Sequence, residues 1–335
     1  MHAIRLHEFG PAENLLYERL PDLVCEPGQV RIAVEAAGVH LVDTMIRKGV
    51  EGGPFPSPQL PMVPGREVAG RVDAIGPDVH AGWLGRRVVA HLGMASGGYA
   101  DQALAPVESL HDLSELGPDM SSEVAVAMIG TGRTTMGILE VADLQESDVV
   151  VITAAAGGIG NLLVQAAHGI GATVVGLAGG VAKVDLVRRL GADIAVDYSA
   201  PDWAGAVADA LDCRGATVAF DGVGGDAGRK VFELLAPGGR FVMFGWSSGK
   251  PTELSSADLY ARGLRADAAV GPRMRNRPGG LRELETVALH AAGSGQLRPL
   301  VGEPFPLAEA AAAHRAVEHR ATVGKTILVP DDVAA

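Results

Sequence analysis

Between residues 148 and 244, short uninterrupted apolar runs alternate with segments in which apolar residues recur at helical spacing. The apolar runs are 148–153, 173–177, 194–197, 217–220 and 240–244, and the helical patterns occupy 159–169, 181–190, 202–211 and 226–236. Uninterrupted apolar runs are typical of parallel strands that are buried on both faces. Five strands alternating with four helices predict an α/β fold, a doubly wound parallel sheet of the Rossmann type.

The residues before this region show a different pattern. Alternation of apolar and polar positions predicts strands at 30–34, 68–72 and 87–90. A tract rich in proline and glycine at 49–65 is incompatible with regular structure, because proline removes an amide donor and restricts the residue before it. We expect this tract to be a loop over a site, with a surface linker as the alternative.

The alternation of strands and helices ends after about residue 267, and we expect the chain to return there to its first domain. A helix capped by Ser122 is expected to run to about Leu139, and the tail has helical patterns at 281–292 and 307–319 and a final strand at 326–329. In the simplest arrangement this tail belongs to the first domain. We therefore predict a mainly-β domain of residues 1–122 and 268–335, into which a sheet domain of residues 123–267 is inserted.

Charge and composition narrow the function. The 335 residues include 40 Asp and Glu against 28 Lys and Arg, a net charge of −12, which disfavours a nucleic-acid binder or a polybasic membrane-surface protein. The N-terminus lacks the pattern of a signal peptide, and no apolar stretch reaches about 18 residues. Only two cysteines occur, too few for a disulfide scaffold or a four-cysteine zinc site. We expect a cytoplasmic protein with no nucleic-acid or membrane partner.

Glycine is abundant, with 45 residues, and one glycine cluster sits where a ligand is expected. The sequence AAAGGIG at 154–160 follows the first predicted strand of the sheet and opens its first helix. A glycine turn at this place lets backbone amides and the helix N-terminus approach a pyrophosphate. The order strand, glycine turn, helix therefore predicts a dinucleotide site, against the alternative of a tight turn without a ligand.

The end of the second predicted strand indicates which dinucleotide is bound. An NAD site usually has an acidic residue here, but residues 174–180 contain none, and Lys183 follows shortly. A cation without a carboxylate suits the 2′-phosphate of NADPH. The alternative is that Lys183 is an ordinary solvated lysine on a helix face.

Several motifs together resemble a known family. They are AGVHLVDT at 37–44, PGREVAG at 64–70, AAAGGIG at 154–160, GAD at 191–193 with DY at 197–198, FDGVGG at 220–225, PGGR at 237–240 with FG at 244–245, and VGKT at 323–326. In this order they resemble the zeta-crystallin-like NADPH:quinone oxidoreductases of the medium-chain dehydrogenase/reductase superfamily. The resemblance implies a GroES-like, partly barrel-shaped catalytic domain that is split by an inserted Rossmann domain.

The resemblance also implies roles for residues of this chain. Lys183 and Tyr198 match residues that hold the adenosine 2′-phosphate, Thr134 matches a threonine near the nicotinamide ribose, and His40 and Asp43 lie in the active-site segment. The full set of implied cofactor contacts is Thr134, Ala156, Gly157, Gly158, Ile159, Gly160, Gly179, Lys183, Tyr198, Val223, Phe244, Gly245 and Trp246.

Zinc-dependent members of the superfamily bind the metal through Cys, the His of Gly-His-Glu, and a second Cys. Here His40 stands at the first position, Arg66 at the second, and 129–132 near the third contains no cysteine. A guanidinium stays protonated and offers no lone pair, so one ligand of three remains. We expect no metal, and without a metal to activate an alcohol we expect reduction of an acceptor that is already electrophilic.

The expected reaction is hydride transfer from NADPH to a quinone or to the β-carbon of an α,β-unsaturated carbonyl compound. His40 is the candidate for hydrogen bonding or protonating the acceptor carbonyl, with a structural role at a turn as the alternative. Asp43 and Arg66 complete the candidate catalytic set. Arg66 would attract developing enolate charge, or would instead form a structural pair with Glu67 or Asp43.

Three other functions remain as alternatives. The sequence GWSSG at 245–249 matches a hydrolase nucleophile motif, but Pro251 opposes the helix that must follow Ser247. A 2-enoyl-thioester reductase would use the same hydride geometry. A non-catalytic NADPH-binding protein is the third alternative. The family resemblance further implies a homodimer that pairs through an edge strand at 264–270.

Overall fold

The computed structural model describes residues 1–50, 58–93, 96–117 and 119–330, so residues 51–57 of the proline-rich tract lie outside the described residues. The chain divides into two compact units. The first consists of Met1–Gly132 and Glu285–Ala335, and the second of Arg133–Leu284. The domain limits at 122/123 and 267/268 stay a prediction, and the compact units divide later in the chain at both places.

The elements follow in chain order. In the first part of the chain they are β1 (His2–Leu6), β2 (Leu15–Arg19), β3 (Gln29–Val39), α1 (Leu41–Lys48), β4 (Glu67–Ile75), β5 (Arg87–His91), β6 (Gln102–Pro106), β7 (Leu110–Asp112), α2 (Leu113–Leu116) and α3 (Ser122–Ala127). The second unit contains α4 (Arg133–Ala142), β8 (Val149–Ile152), α5 (Gly158–Ile170), β9 (Thr173–Ala178), α6 (Val181–Arg189), β10 (Ile194–Asp197), α7 (Trp203–Ala210), β11 (Ala216–Asp221), α8 (Gly225–Glu233), β12 (Leu235–Met243), α9 (Ser256–Arg262), β13 (Arg265–Ala268) and α10 (Pro272–Arg275). The chain ends with α11 (Gly280–Gly293), β14 (Phe305–Pro306), α12 (Ala310–Glu318) and β15 (Thr326–Val329).

The first unit is built on a mainly antiparallel sheet whose central strand is β3. The strand order is β14-β15-β3-β4-β5-β7, and β6 also pairs with β3. The alternating sequence of β3 directs Ile32 and Val34 into an apolar core with Val68, Val88 and Tyr99. The predicted strands at 30–34, 68–72 and 87–90 are thus confirmed and are extended at their ends.

The C-terminal strand returns to the first unit, as the sequence predicted. Strand β15 pairs antiparallel with β3, with Thr326 opposite Val39, and its neighbour β14 completes that edge of the sheet. This pairing brings the residue before β15, Lys325, next to the end of β3 and the start of α1.

The second unit confirms the doubly wound sheet. All of its six strands that the structure describes run parallel, in the order β10-β9-β8-β11-β12-β13. Numbered from β8, this is the order 3-2-1-4-5-6 of dinucleotide-binding sheets. Val150 and Val151 point to opposite faces of β8 and both are fully buried, which explains the uninterrupted apolar runs.

The helix expected from Ser122 to about Leu139 differs from the structure in two ways. Ser121 is the N-cap, since its hydroxyl accepts the amide of Val124, while the Ser122 hydroxyl donates to Glu35. The helical stretch is also interrupted by a π-helical segment, Met128–Gly132, between α3 and α4. A π-turn inserts one extra residue into a helix, and apolar periodicity alone gave no sign of it.

The helix expected at 226–236 and the turn at 237–239 also need correction. Helix α8 ends at Glu233, and β12 already begins at Leu235. The pairing of β12 with β11 shifts register between Leu235 and Arg240. The Pro-Gly-Gly sequence at 237–239 therefore forms an irregularity within β12 and not a turn before it. Within the described part of the chain, no helix has the length and apolar character needed to cross a membrane.

Candidate functional site

The glycine-rich loop lies between β8 and α5 in the second unit. Gly157 caps the 13-residue helix α5, so the amides of Gly158, Ile159 and Gly160 form its first turn, where a helix has no internal acceptors. A Cβ at Gly160 would overlap the carbonyl of Ala154, which passes directly beneath the helix. The loop with Ala156 is thus a backbone cradle that only small residues permit, and it fits a pyrophosphate.

The loop is anchored by polar residues that the sequence analysis did not single out. The buried amide of Asn161 donates to the carbonyls of Gly157 and Gly158, at 2.8 and 2.7 Å. Thr153 at the end of β8 donates to the carbonyl of Phe220 and accepts the amide of Gly222. These bonds hold the cradle rigid against the neighbouring strand β11.

The ends of β11 and β12 bring together the residues assigned to the nicotinamide end. The amides of Ser247 and Ser248 donate to the carbonyls of Gly222 and Val223, so the segment with Phe244, Gly245 and Trp246 runs beside Val223. The buried carboxylate of Asp221 stabilises this arrangement, since it accepts from the amides of Val223 and Gly224 and from the hydroxyl of Thr252. Four of the sequence-predicted cofactor residues are therefore neighbours.

The residues assigned to the adenosine end lie beyond β9 and β10. The Tyr198 amide donates to the carbonyl of Ala178, which brings its ring near Gly179, and Lys183 lies in the first turn of α6. The nearby acid, Asp197, is used internally: it accepts from the amides of Gly180 and Ser199 and from the Ser199 hydroxyl, and these bonds lower its pKa. Thr134 lies in α4, at the start of the second unit.

In the first unit, His40 belongs to a buried polar cluster. Its Nε2 lies 2.5 Å from Oε1 of Glu67 and 2.8 Å from Nζ of Lys325. Lys325 also donates to Oε2 of Glu67 at 2.6 Å and lies 3.4 Å from the Thr131 hydroxyl. Burial pushes the pKa of Glu67 up, but the charges of His40 and Lys325 outweigh it and hold this pKa well below its usual value. Glu67 is therefore an ionised carboxylate inside the protein.

Asp43 and Arg66 form a second group that supports the start of α1. Oδ2 of Asp43 accepts the backbone amide of His40 at 2.8 Å and the hydroxyl of Tyr99 at 3.1 Å. Its Oδ1 lies 3.9 Å from the Arg66 guanidinium, which is the Arg66–Asp43 structural pair that the sequence left open. The Asp43 carboxylate is therefore bonded to the backbone amide of His40, and the Arg66 guanidinium faces Asp43.

Tyr99 connects this second group to His314 on α12. Burial and the neighbouring Asp43 carboxylate raise the pKa of Tyr99 well above its usual value, so its hydroxyl keeps its proton and donates a hydrogen bond to Asp43. The His314 Nε2, 3.2 Å away, must then donate to the Tyr99 oxygen, so Nε2 carries a proton. Burial first, and the charge of Arg47 as well, lower the pKa of His314 to about 4.

His314 predicts a pH dependence of stability. An unfolded histidine has a pKa near 6.5, so between pH 6.5 and 4 the unfolded chain binds a proton that the folded chain refuses. As the pH is lowered from 6.5 to 4, we therefore expect this group alone to reduce the free energy of unfolding by up to about 3 kcal/mol. Urea unfolding at several pH values measures it. The dependence of the unfolding free energy on pH should become weaker in His314→Gln. It should stay unchanged in the control His7→Gln, which replaces an exposed histidine. An unchanged dependence in His314→Gln would refute the assignment.

The residues at the expected metal positions do not fit a zinc ion. His40 Nε2 is turned toward Glu67 and the ammonium of Lys325, and Arg66 at the second position carries a charge that repels a cation. Across the described ranges, no three His, Cys, Asp or Glu side chains form a group that could hold a metal. The ammonium of Lys325 thus lies beside His40, which stands at the first ligand position, and beside Thr131, which is near the third.

Lys325, Tyr99 and His314 were missed as site residues. Lys325 and Glu67 are 258 positions apart in the chain, and Tyr99 and His314 are 215 apart. In the sequence, Lys325 is only one residue of the terminal motif VGKT at 323–326. The one local signal was the position of Lys325 immediately before the last strand. That position indicates a site residue only when the strand is known to pair with β3.

Comparison with known proteins agrees with this architecture. The alcohol dehydrogenase GroES-like domain matches residues 26–115, and the zinc-binding dehydrogenase domain matches residues 158–284. The chain is 32% identical to a 2-haloacrylate reductase of Burkholderia, over 97% of this chain and 98% of that protein. It is 30% identical to a quinone oxidoreductase of Pseudomonas aeruginosa, over 98% of this chain and 99% of that protein.

Solved structures of similar proteins also match this chain over nearly its whole length. The quinone oxidoreductase of Escherichia coli in complex with NADPH matches with a TM-score of 0.86 and 27% identity, over 98% of this chain and 100% of that one. A mycobacterial protein in complex with NADPH matches with a TM-score of 0.85 and 31% identity, over the same shares of the two chains. The GroES-like and Rossmann fold prediction is confirmed. The chain belongs to the zinc-independent quinone oxidoreductase family of the medium-chain dehydrogenase/reductase superfamily.

Proposed function

We propose that this chain is an NADPH-dependent, metal-independent oxidoreductase that transfers hydride to a quinone or an α,β-unsaturated carbonyl compound. The observation that carries the proposal is the set of residues at the expected zinc positions, where Arg66 stands at the second position and the Lys325 ammonium lies 2.8 Å from His40 at the first. Such a site lacks the Lewis acid that an unactivated alcohol needs, and it suits an acceptor that is already electrophilic. Relatives of nearly full-length similarity are named as reductases of quinones and of 2-haloacrylate.

The second unit would hold the cofactor. Bound NADPH supplies the hydride. The cradle at 156–160 receives the pyrophosphate on the first-turn amides of α5, and the ends of β11 and β12, with Val223 and 244–246, flank the nicotinamide together with Thr134. Gly179, Lys183 and Tyr198 receive the adenosine 2′-phosphate.

The first unit would act on the acceptor. His40 is the member of the buried cluster with the greatest exposure, with 28% of its side chain accessible against 0% for Glu67 and 4% for Lys325. We assign to His40 the role of hydrogen bonding or protonating the acceptor oxygen, which becomes more negative as the hydride is transferred. Asp43 and Arg66 are assigned to positioning, since Asp43 fixes the backbone amide of His40 and Arg66 neutralises Asp43.

A turnover screen tests the proposed activity. Purified protein is mixed with NADPH or NADH and a panel of quinones, enones, haloacrylates and one 2-enoyl thioester, with chelator present. We expect NADPH oxidation by quinones or enones and little by the thioester. Preference for the thioester would favour the enoyl-thioester reductase alternative. Binding of NADPH without any oxidation would favour a non-catalytic protein.

The cofactor preference predicts the effect of a single substitution. Lys183→Met removes the cation assigned to the 2′-phosphate, and a hydrogen bond to a charged group contributes about 1.5–3 kcal/mol. The KM for NADPH should therefore rise about 10–100-fold, while the KM for NADH stays the same. Steady-state kinetics with both cofactors measures this. Lys230→Met, an exposed lysine of α8 whose ammonium lies over the Trp203 ring, is the control. Equal losses with both cofactors would exclude a role at the 2′-phosphate.

We also propose that the protein is a homodimer and is located in the cytoplasm. Strand β13 is at the edge of the six-stranded sheet, and a second β13 would satisfy its open backbone groups. Both cysteines are free, which accords with a reducing compartment. Light scattering should give twice the mass of one 34.4 kDa chain, and one chain mass at micromolar concentration would contradict the dimer. Cell fractionation tests the location.

A further inference from the structure

Helices α1 and α12 of the first unit pack against each other through two pairs of residues at helical spacing. Asp43 and Arg47 lie one turn apart on α1, and His314 and Glu318 lie one turn apart on α12, so each pair shares one face of its helix. Nη2 of Arg47 donates to Glu318 at 2.5 Å, and Tyr99 contacts both Asp43 and His314. The two faces are therefore turned toward each other, with the side chains of Arg47 and His314 between the helices.

Both of these side chains keep polar atoms that have no hydrogen-bond partner. Only 1% of Arg47 and 0% of His314 is exposed to solvent. Glu318 accepts from Nη2 of Arg47, but Nε and Nη1 find no acceptor among the described residues. Nδ1 of His314 likewise has no partner in the described part of the chain. Buried polar atoms of native proteins are nearly always paired, with the protein or with ordered water, so these atoms require a further partner.

The open atoms are complementary in their hydrogen-bonding character. Nε2 of His314 donates to Tyr99, and the ring is neutral at pH values well above its lowered pKa of about 4, so Nδ1 offers a lone pair. The open nitrogens of Arg47 can only donate. The charge of Arg47 also contributes to the lowered pKa of His314, so the two groups are within electrostatic range of each other. A group that lies between them must accept from Arg47 and donate to His314.

We infer that a water molecule is bound in a buried site between α1 and α12, where it accepts a hydrogen bond from Arg47 and donates one to Nδ1 of His314. Water both donates and accepts, and a buried water typically makes about three such bonds. A halide anion does not fit, because it cannot donate to Nδ1. The charge of Arg47 that would attract an anion is also neutralised already by Glu318.

The bound water connects two hydrogen-bonded groups of the first unit. One is the ion pair of Arg47. The other begins at His314 and Tyr99. It continues through Asp43 to the backbone amide of His40. The water thus extends to α12 the hydrogen bonds that hold the first turn of α1. The site does not depend on the proposed reductase function, and neither does its test.

A crystal structure of the full chain, at a resolution that shows ordered water, tests the site directly. We expect one density peak within hydrogen-bond distance of both Nδ1 of His314 and an open nitrogen of Arg47. A second crystal soaked in sodium bromide at neutral pH should give no anomalous signal at this place. Direct contact between the two side chains, no peak between them, or a bromide ion in its place would each overturn the inference.

Nitrogen NMR of isotope-labelled histidine rings tests the same site in solution at neutral pH. The signals of His314 are identified by their loss in His314→Gln. They should show the proton on Nε2 and a hydrogen-bonded lone pair on Nδ1. Arg47→Met removes the donors, and we expect Nδ1 to shift toward the position of a free lone pair. Arg315→Met, which replaces a half-exposed arginine of α12 paired with Glu13, is the matched control and should leave Nδ1 unchanged.

Two results of the NMR experiment would overturn the inference. The first is a proton on Nδ1 of His314 in the wild type, because Nδ1 then has no lone pair to accept from water. The second is an Nδ1 signal that stays the same in Arg47→Met. If Arg47→Met does not fold, the proton position in the wild type and the crystal structure still decide.

Discussion

Gly160→Ala is expected to weaken the binding of NADPH at least about 100-fold. The new Cβ would overlap the carbonyl of Ala154, and since this atom belongs to the backbone, the loop or the helix must move. Such a movement displaces the first-turn amides of α5 from the pyrophosphate. Loss of two charge-assisted hydrogen bonds of about 1.5 kcal/mol each corresponds to about 100-fold in the dissociation constant. NADPH fluorescence titration measures the constant.

The matched control is Gly169→Ala in the same helix. Gly169 is exposed, and a Cβ there meets no atom within 4 Å. Alanine is a better helix former than glycine by about 1 kcal/mol, so this variant should bind NADPH normally and be slightly more stable. A folded Gly160→Ala protein with wild-type affinity would show that the cradle does not hold the cofactor.

Glu67→Gln is expected to lower the free energy of unfolding by about 3–5 kcal/mol. The carboxylate is fully buried and is the counterion of Lys325, so neutralising it leaves a buried ammonium without compensation. Urea unfolding measures the loss. The double variant Glu67→Gln with Lys325→Met should recover most of it, because the uncompensated charge is then removed as well.

A second ion pair on the same strand provides the control. Asp73, also on β4, pairs with Arg31 at 2.9 Å, but both side chains remain partly exposed to solvent. Asp73→Asn should therefore cost no more than about 1 kcal/mol. If Glu67→Gln and Asp73→Asn cost the same small amount, the buried cluster does not contribute to stability as its geometry indicates.

The second unit could be predicted from the sequence because its signals are local. Each buried strand is an apolar run, and AAAGGIG at 154–160 has its strand and its helix directly on either side. Most of the residues assigned to the cofactor follow the ends of these strands, so predicting the strands also gave their places in the fold. The prediction was wrong where residues typical of a turn occur inside a strand. At 237–239 a turn was expected, but the Pro-Gly-Gly sequence lies within the irregular strand β12.

The candidate catalytic cluster could be predicted only in part. His40 was found through its motif, but its partners depend on which strands are neighbours in the sheet. Asp43 and Arg66 were placed in the candidate catalytic set, with a structural Arg66–Asp43 pair as an open alternative, and the structure gives Asp43 contacts with the His40 amide, the Tyr99 hydroxyl and Arg66. The π-helical segment that leaves space for Glu67 has no signal in apolar spacing.

The central claim is hydride transfer from NADPH to an electrophilic acceptor without a metal. The most direct measurement is a single turnover by stopped flow, in which protein treated with chelator and loaded with NADPH is mixed with a quinone or an enone. We predict rapid loss of NADPH absorbance at a rate that neither chelator nor added zinc changes. A reaction that chelator abolishes and zinc restores, or no reaction with any acceptor of either class, would contradict the account.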